Sequence, residues 1–156
     1  MVENGVNVQD REIVLNRIFD APRELVWQAW TTPEHLIRWW GPKGFRMTVQ
    51  QFELKTGGVW KFTLHGPDGT DFPNQIVFVD IRQPERLVYK TSDGEEDSPG
   101  QFETTVTLEA EGDQTRLMMR LLFKTPEERD FVVKEYGAIE GGNQTLDRLA
   151  ERLAAL

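Results

Sequence analysis

Between residues 45 and 123, apolar and polar side chains alternate with period two in six short segments, joined by linkers suited to reversals of direction. The segments are 45–54, 59–65, 75–81, 86–91, 101–109 and 115–123. Between them lie Thr56-Gly57-Gly58, Gly66-Pro67-Asp68-Gly69, Gln83-Pro84-Glu85, residues 92–100 and Glu111-Gly112-Asp113. Gly, Pro and Asp favour tight turns, whereas two parallel strands need a crossover of about a dozen residues or more. The pattern therefore predicts an antiparallel meander of six strands. Residues 11–19 alternate too, with Ile13, Leu15 and Arg17 on one face and Val14, Asn16 and Ile18 on the other, which adds a seventh strand.

Helix signals flank this sheet. Asp20-Ala21-Pro22 opens a helix over 22–31, with proline at the first helical position and Leu25, Val26, Ala29 and Trp30 on its buried side. Thr32-Pro33-Glu34 repeats the signal for a second short helix, 35–40, stopped by Gly41-Pro42. Thr125-Pro126-Glu127-Glu128 combines a capping hydroxyl, a proline and two acids facing the positive end of a helix dipole. From there one long helix is expected to reach the C-terminus. Its Val132, Tyr136, Ile139, Leu146, Leu149 and Leu153 recur at helical spacing, and the sheet is the surface large enough to bury them. Gly141-Gly142 interrupts it at a cost of about 1 kcal/mol per glycine. Either the helix kinks there, or the missing side chains leave room on the sheet side. The fold class is thus α+β: a curved, seven-stranded antiparallel sheet wrapped on a long C-terminal helix. Residues 1–10 are expected to be a flexible leader and 11–156 a single domain.

Composition removes several chemistries. The chain has 156 residues, enough for a core without staples, and no cysteine, so disulfides, thiolate nucleophiles and thiolate metal sites are excluded. A net charge of -8, with basic residues gathered only at Arg38 and 43–46, argues against nucleic acid as a partner. No signal-peptide pattern opens the sequence and no apolar run approaches the roughly 20 residues of a membrane span, so a cytoplasmic protein is expected. His35 and His65, on a short helix and at a strand end, do not suggest a metal site. No phosphate-cradling glycine loop opens a helix, so no nucleotide cofactor is expected. There is no glycine-flanked serine elbow; Ser92 and Ser98 fall in an acidic segment, Asp93 to Asp97, read as a solvated loop.

The apolar faces carry the functional signal. Five tryptophans, Trp27, Trp30, Trp39, Trp40 and Trp60, are many for one domain. Aromatic rings serve cores and ligand pockets alike. Trp39 and Trp40 point about 100° apart on a helical backbone, so one faces the core and the other is placed at a cavity mouth. Trp60, Phe62 and Leu64 share a strand face, as do Ile76, Phe78 and Asp80, and as do Phe102, Thr104, Val106 and Leu108. The last strand is apolar on both sides, which leaves its register open. Arg120 facing inward would need an acidic partner or an anionic ligand; facing outward it is a solvated charge. Glu135 and Glu140, beside Tyr136, are the candidates for acid–base work, with plain helical exposure as the alternative.

The segments from Ile18 to Trp27, from Trp39 to Phe45, Gly57-Gly58-Val59-Trp60, Gly66-Pro67-Asp68-Gly69 and from Gly141 to Leu149 together resemble the activator of heat-shock-protein-90 ATPase homologue-like family. That family lies within the START-like (SRPBCC), birch-pollen-allergen-like superfamily of helix-grip folds. The resemblance implies a cavity between the long helix and the concave face of the sheet, able in related families to take lipids, polyketides or flavonoids. Its lining would be Trp39, Trp40, Trp60, Phe62, Phe78, Phe102, Arg120, Tyr136, Ile139, Glu140 and Asn143. The leading expectation is a non-catalytic binder of a small apolar molecule. An enzyme acting on such a ligand is the first alternative and a chaperone cofactor the second. The co-chaperone behind the family name carries a separate N-terminal domain and an Asn- and Trp-containing leader, where this sequence shows only residues 1–10.

Overall fold

The computed structural model describes residues 2–3, 6–92 and 101–156. A two-stranded ribbon, β1 (Val2–Glu3) with β2 (Val6–Asn7), and a 3-10 turn (Val8–Arg11) precede the main sheet. Then come β3 (Glu12–Phe19), α1 (Arg23–Thr31), α2 (Pro33–Trp39), β4 (Arg46–Phe52), β5 (Val59–His65), β6 (Asp71–Arg82), β7 (Arg86–Ser92), β8 (Phe102–Glu111) and β9 (Gln114–Phe123). Two helices, α3 (Pro126–Tyr136) and α4 (Ala138–Ala154), close the chain. The sheet order is β3-β9-β8-β7-β6-β5-β4, antiparallel throughout. The meander is thus as the turn chemistry predicts, with β3 added at the β9 edge.

The β5–β6 reversal illustrates the turn chemistry. Asp68 Oδ1 accepts the Thr70 N–H at 2.9 Å, which holds its carboxyl below the usual carboxylate range, and Gly69 takes φ +89°. The 92–100 linker falls almost wholly outside the described residues, and with it the acidic segment and Ser98.

Two local departures have physical causes. The β6–β7 register shifts between Phe78 and Asp80, so Val79 is a bulge. One extra residue reverses the alternation: Asp80, expected beside Ile76 and Phe78, instead joins the outer face, where it pairs with Arg82 at 3.0 Å and Arg86 at 3.3 Å. Ile81 takes its place, partly buried against the core.

The expected single C-terminal helix is two. The Thr125 cap forms as predicted, its Oγ1 accepting the Glu128 N–H at 3.1 Å. At Gly137 the backbone turns left-handed (φ 58°, ψ 44°), ending α3, and α4 restarts at once. Gly141-Gly142, by contrast, sits inside α4 without interrupting it. A Cβ on Gly142 would stand 2.6 Å from Leu15 Cδ1 on β3. Here the missing side chain leaves room on the sheet side. The break at Gly137 also resets the helical phase. Val132 of α3 and Leu146, Leu149 and Leu153 of α4 are buried, whereas Ile139 is exposed.

The core fills the space between the concave sheet face and α1, α2 and α4. Register places Ile13, Leu15, Leu117, Leu108, Val106, Leu87, Phe78, Ile76, Trp60 and Phe62 on that face, each buried. Each fully buried side chain of this kind contributes about 1.5–3 kcal/mol.

Candidate functional site

The short helix α2 ends where Trp40 donates its backbone N–H to Leu36 O. Gly41-Pro42 cannot continue it, and Gly41 takes φ +98°. The side chain of Arg148, from α4, holds this turn. Its Nη1 donates to Gly41 O at 2.9 Å and to Pro42 O at 3.0 Å, and Nη2 reaches Arg38 O at 3.4 Å. A cation on the carbonyl end of a helix is favourable. Burial holds this guanidinium below the usual arginine range, opposed by the neighbouring Glu151.

The clamp sets the position of two rings. Trp39 is fully buried and satisfied, its Nε1 donating to Ala29 O at 2.9 Å. Trp40 is half-buried and stands among five other rings. Its centroid lies 4.9 Å from Trp60, 5.4 Å from Trp39, 6.1 Å from Trp30, 6.2 Å from Phe62 and 6.4 Å from Tyr89. Of the two adjacent tryptophans, then, Trp40 is the one that reaches solvent. Phe52 and Phe78 extend the wall, and Phe102 stacks on Phe123 at 5.0 Å.

This apolar interior contains polar atoms with nothing to bond. Trp30 Nε1, Trp60 Nε1, Tyr89 Oη and Thr104 Oγ1 are buried and have no hydrogen-bond partner among the described residues. Tyr89 and Thr104 are direct cross-strand partners on β7 and β8. Burial pushes the Tyr89 phenol well above its ordinary range. The side chains of Trp30 and Thr104 act in the opposite sense, though the phenol makes no hydrogen bond with either.

Several residues expected to line the site lie elsewhere. Arg120 is on the outer face, where its guanidinium meets the Glu12 carboxylate across β3 and β9. The acidic partner, and not an anionic ligand, accounts for it. The inward-facing arginine is Arg17, which bonds Asp147 Oδ1 at 2.8 Å and Asn143 O at 3.3 Å. Asn143, Ile139, Glu140 and Glu135 are exposed on the helices, because the break at Gly137 turns this stretch away from the core. Tyr136 ends α3, and its side chain lies outside what the structure describes.

The outer surface holds two further groupings. Thr48 Oγ1 and Asp71 Oδ1 each approach a ring nitrogen of His65 at 2.7 Å, tying β4, β5 and β6 together on the exposed side. A cleft of about 250 Å³ is lined by Arg23, Arg82, Glu85, Arg86, Thr107, Leu108 and Glu109, with cations and carboxylates interleaved. Among the described residues no three His, Asp or Glu side chains gather as a metal site, and no helix is long and apolar enough to cross a membrane.

The sequence profile of the family described as Activator of Hsp90 ATPase homolog 1-like protein matches residues 20–154. The chain belongs to this family. Solved structures similar to this member of the family include a protein from Arthrobacter aurescens, 28% identical with a TM-score of 0.87 over 97% of this chain and 90% of that one. A protein from Rhodobacter sphaeroides is 29% identical, with a TM-score of 0.81 over 94% and 95% of the two chains. A third, from Mycobacterium smegmatis, is 22% identical and shares the fold with a TM-score of 0.84 over 96% and 94%. No curated protein sequence matches the chain. The family has the START-like helix-grip fold, which commonly holds hydrophobic ligands, and the matched span contains Trp30, Trp40, Trp60, Tyr89 and Thr104.

Sequence reasoning placed Trp40, Trp60, Phe62 and Phe78 here, and the structure brings these four together around one interior. Tyr89 and Thr104 were missed as site residues. The available signal was a pair of hydroxyls at inward positions of two adjacent strands, next to the apolar Leu87, Val106 and Leu108.

Proposed function

We propose that this protein binds a small hydrophobic or amphipathic molecule, lipid-, polyketide- or flavonoid-like, on the concave side of its sheet and against Trp40. The observation that carries the proposal is Trp40 itself: a large ring held half-buried in the middle of five others. A tryptophan needed only for packing gains most by full burial, as Trp39 and Trp60 do. A ring whose neighbours are aromatic and whose edge meets solvent supplies a stacking surface for an incoming apolar body. Family membership supports the same reading.

Binding is favoured over catalysis. Acid–base assistance to a cyclisation, dehydration or hydrolysis would call for a carboxylate within the apolar interior. Glu135 and Glu140, the candidates on the helices, stand in solvent.

The test is a thermal-shift screen against sterols, fatty acids and flavonoids, run on the natural protein and on Trp40→Ala. At least one class should raise the melting temperature of the natural protein, and Trp40→Ala should lose most of that gain. A screen with no shift in any class would contradict the proposal. The family description motivates a second screen, for stimulation of a chaperone ATPase, in which no effect is expected.

A further inference from the structure

We infer that the ligand is electrically neutral and places one oxygen atom, a carbonyl or a hydroxyl, between Trp30 Nε1, Tyr89 Oη and Thr104 Oγ1. This rests on the binding function proposed above and narrows it to a chemical class. Residue exposure is 3% for Trp30, 2% for Tyr89 and 0% for Thr104, so bulk water does not satisfy these groups. Buried polar atoms without partners are rare in folded proteins, and three of them on adjacent elements ask for an explanation that a bound oxygen supplies. The three come from separate elements, α1, β7 and β8: Tyr89 and Thr104 are cross-strand partners, Trp30 and Tyr89 both stand against the Trp40 ring at 6.1 and 6.4 Å, and the three polar atoms make no hydrogen bond among the described residues.

Their chemistry selects the occupant. An indole N–H only donates, whereas the phenol and the threonine hydroxyl can donate or accept. The group between them must therefore accept from Trp30 and can accept again from Tyr89. A carbonyl oxygen, with two lone pairs, does both. A hydroxyl accepts from the indole and donates to one of the two hydroxyls. An ammonium has no lone pair for the indole. A carboxylate would bring a charge into an interior where the described residues offer no counter-ion. Arg17 is engaged by Asp147 and Arg148 by the carbonyls of the Gly41-Pro42 turn. The apolar body of the ligand then lies on Trp40 and its surrounding rings.

The experiment compares three naphthalenes of one shape: 2-acetylnaphthalene, 2-isopropenylnaphthalene and 2-naphthoate at neutral pH. Affinities come from calorimetric titration, and the indole N–H resonances of Trp30 and Trp60, assigned by Trp→Phe variants, are followed by NMR. The ketone should bind at least about ten-fold more tightly than the hydrocarbon, the worth of one to two buried hydrogen bonds. It should move the Trp30 N–H resonance downfield, and naphthoate should bind most weakly. Tyr89→Phe and Thr104→Val should each narrow the gap between ketone and hydrocarbon. Equal binding of ketone and hydrocarbon, with Trp30 unmoved, would overturn the inference and leave the binding function standing: the polar atoms would then hold only buried water. Preferred binding of naphthoate would overturn it too. No binding by any of the three would count against both. The comparison in the natural protein is decisive even if a variant fails to fold.

Discussion

Replacing Gly142 by alanine should destabilise the protein, although alanine is the better helix former, and the same change one residue earlier should do the opposite. In α4 either substitution gains about 1 kcal/mol of helix propensity, less near the first turn, where Gly141 sits. What differs is the space. The Cβ at 141 would meet Pro42 Cγ at 3.5 Å, an ordinary contact, whereas the Cβ at 142 would stand 2.6 Å from Leu15 Cδ1. Leu15 on β3 is a flexible side chain, but at 8% exposed it is part of the packed core, so moving its Cδ1 aside disturbs its own packing. Overpacking of this kind costs about 1–3 kcal/mol. The net expectation is a gain of about 0.5–1 kcal/mol for Gly141→Ala and a loss of about 1 kcal/mol for Gly142→Ala. For a chain of this size each kcal/mol moves the melting temperature by roughly 2–4 °C. Urea unfolding followed by tryptophan fluorescence measures both, and a double-mutant cycle with Leu15→Ala should show that the smaller residue relieves part of the Gly142→Ala cost. If Gly142→Ala proved as stabilising as Gly141→Ala, α4 would not be seated on β3 as described, and the floor of the site would be misplaced.

Gly137→Ala should cost about 1 kcal/mol, because a side chain is disfavoured at φ 58°, and Gly137→Asn should cost less; chemical unfolding of the two variants checks the order. Arg148→Met should lower stability by about 1–3 kcal/mol by leaving the Gly41 and Pro42 carbonyls without their donor. The emission of Trp40 should shift to longer wavelength in that variant, and unchanged emission would show that Arg148 does not position the ring. The Tyr89 phenol, raised by burial, keeps its proton in the folded state at pH values where the unfolded chain has lost it, near the ordinary 10.0. Above that pH the unfolded state binds fewer protons, so stability falls as pH rises, whereas below it Tyr89 ionisation contributes no pH dependence. Tyr89→Phe should flatten this alkaline loss in unfolding experiments, and a slope unchanged by the substitution would show the phenol to be accessible.

Much of the fold is legible because strand alternation and turn residues are local signals. What escaped depends on single residues whose meaning is set by their neighbours. The Val79 bulge adds no turn residue and leaves an apolar-looking segment, so Asp80 seems to share a face with Phe78 until β7 supplies the register. Gly141-Gly142 has the composition of a helix breaker, yet the break falls at Gly137; α4 keeps its path at 142 because Leu15, far away in sequence, occupies the space. Arg120 could not be assigned from β9 alone, since both its faces are apolar. Pairing with β3 decides it: Ile13 and Leu15 face the core opposite Leu121 and Met119, which sends Arg120 outward to Glu12. The rings of the site are visible as an aromatic strand face, whereas the Trp30, Tyr89 and Thr104 grouping comes from three elements and exists only once the sheet is curved onto α1.

The central claim is that the interior around Trp40 holds a small molecule. Native mass spectrometry of the freshly purified protein tests it most directly. A bound species of a few hundred daltons, the size such sites take, should accompany the natural chain and be lost from Trp40→Ala. A bare chain mass in both proteins, unchanged after incubation with 2-acetylnaphthalene, would contradict the account.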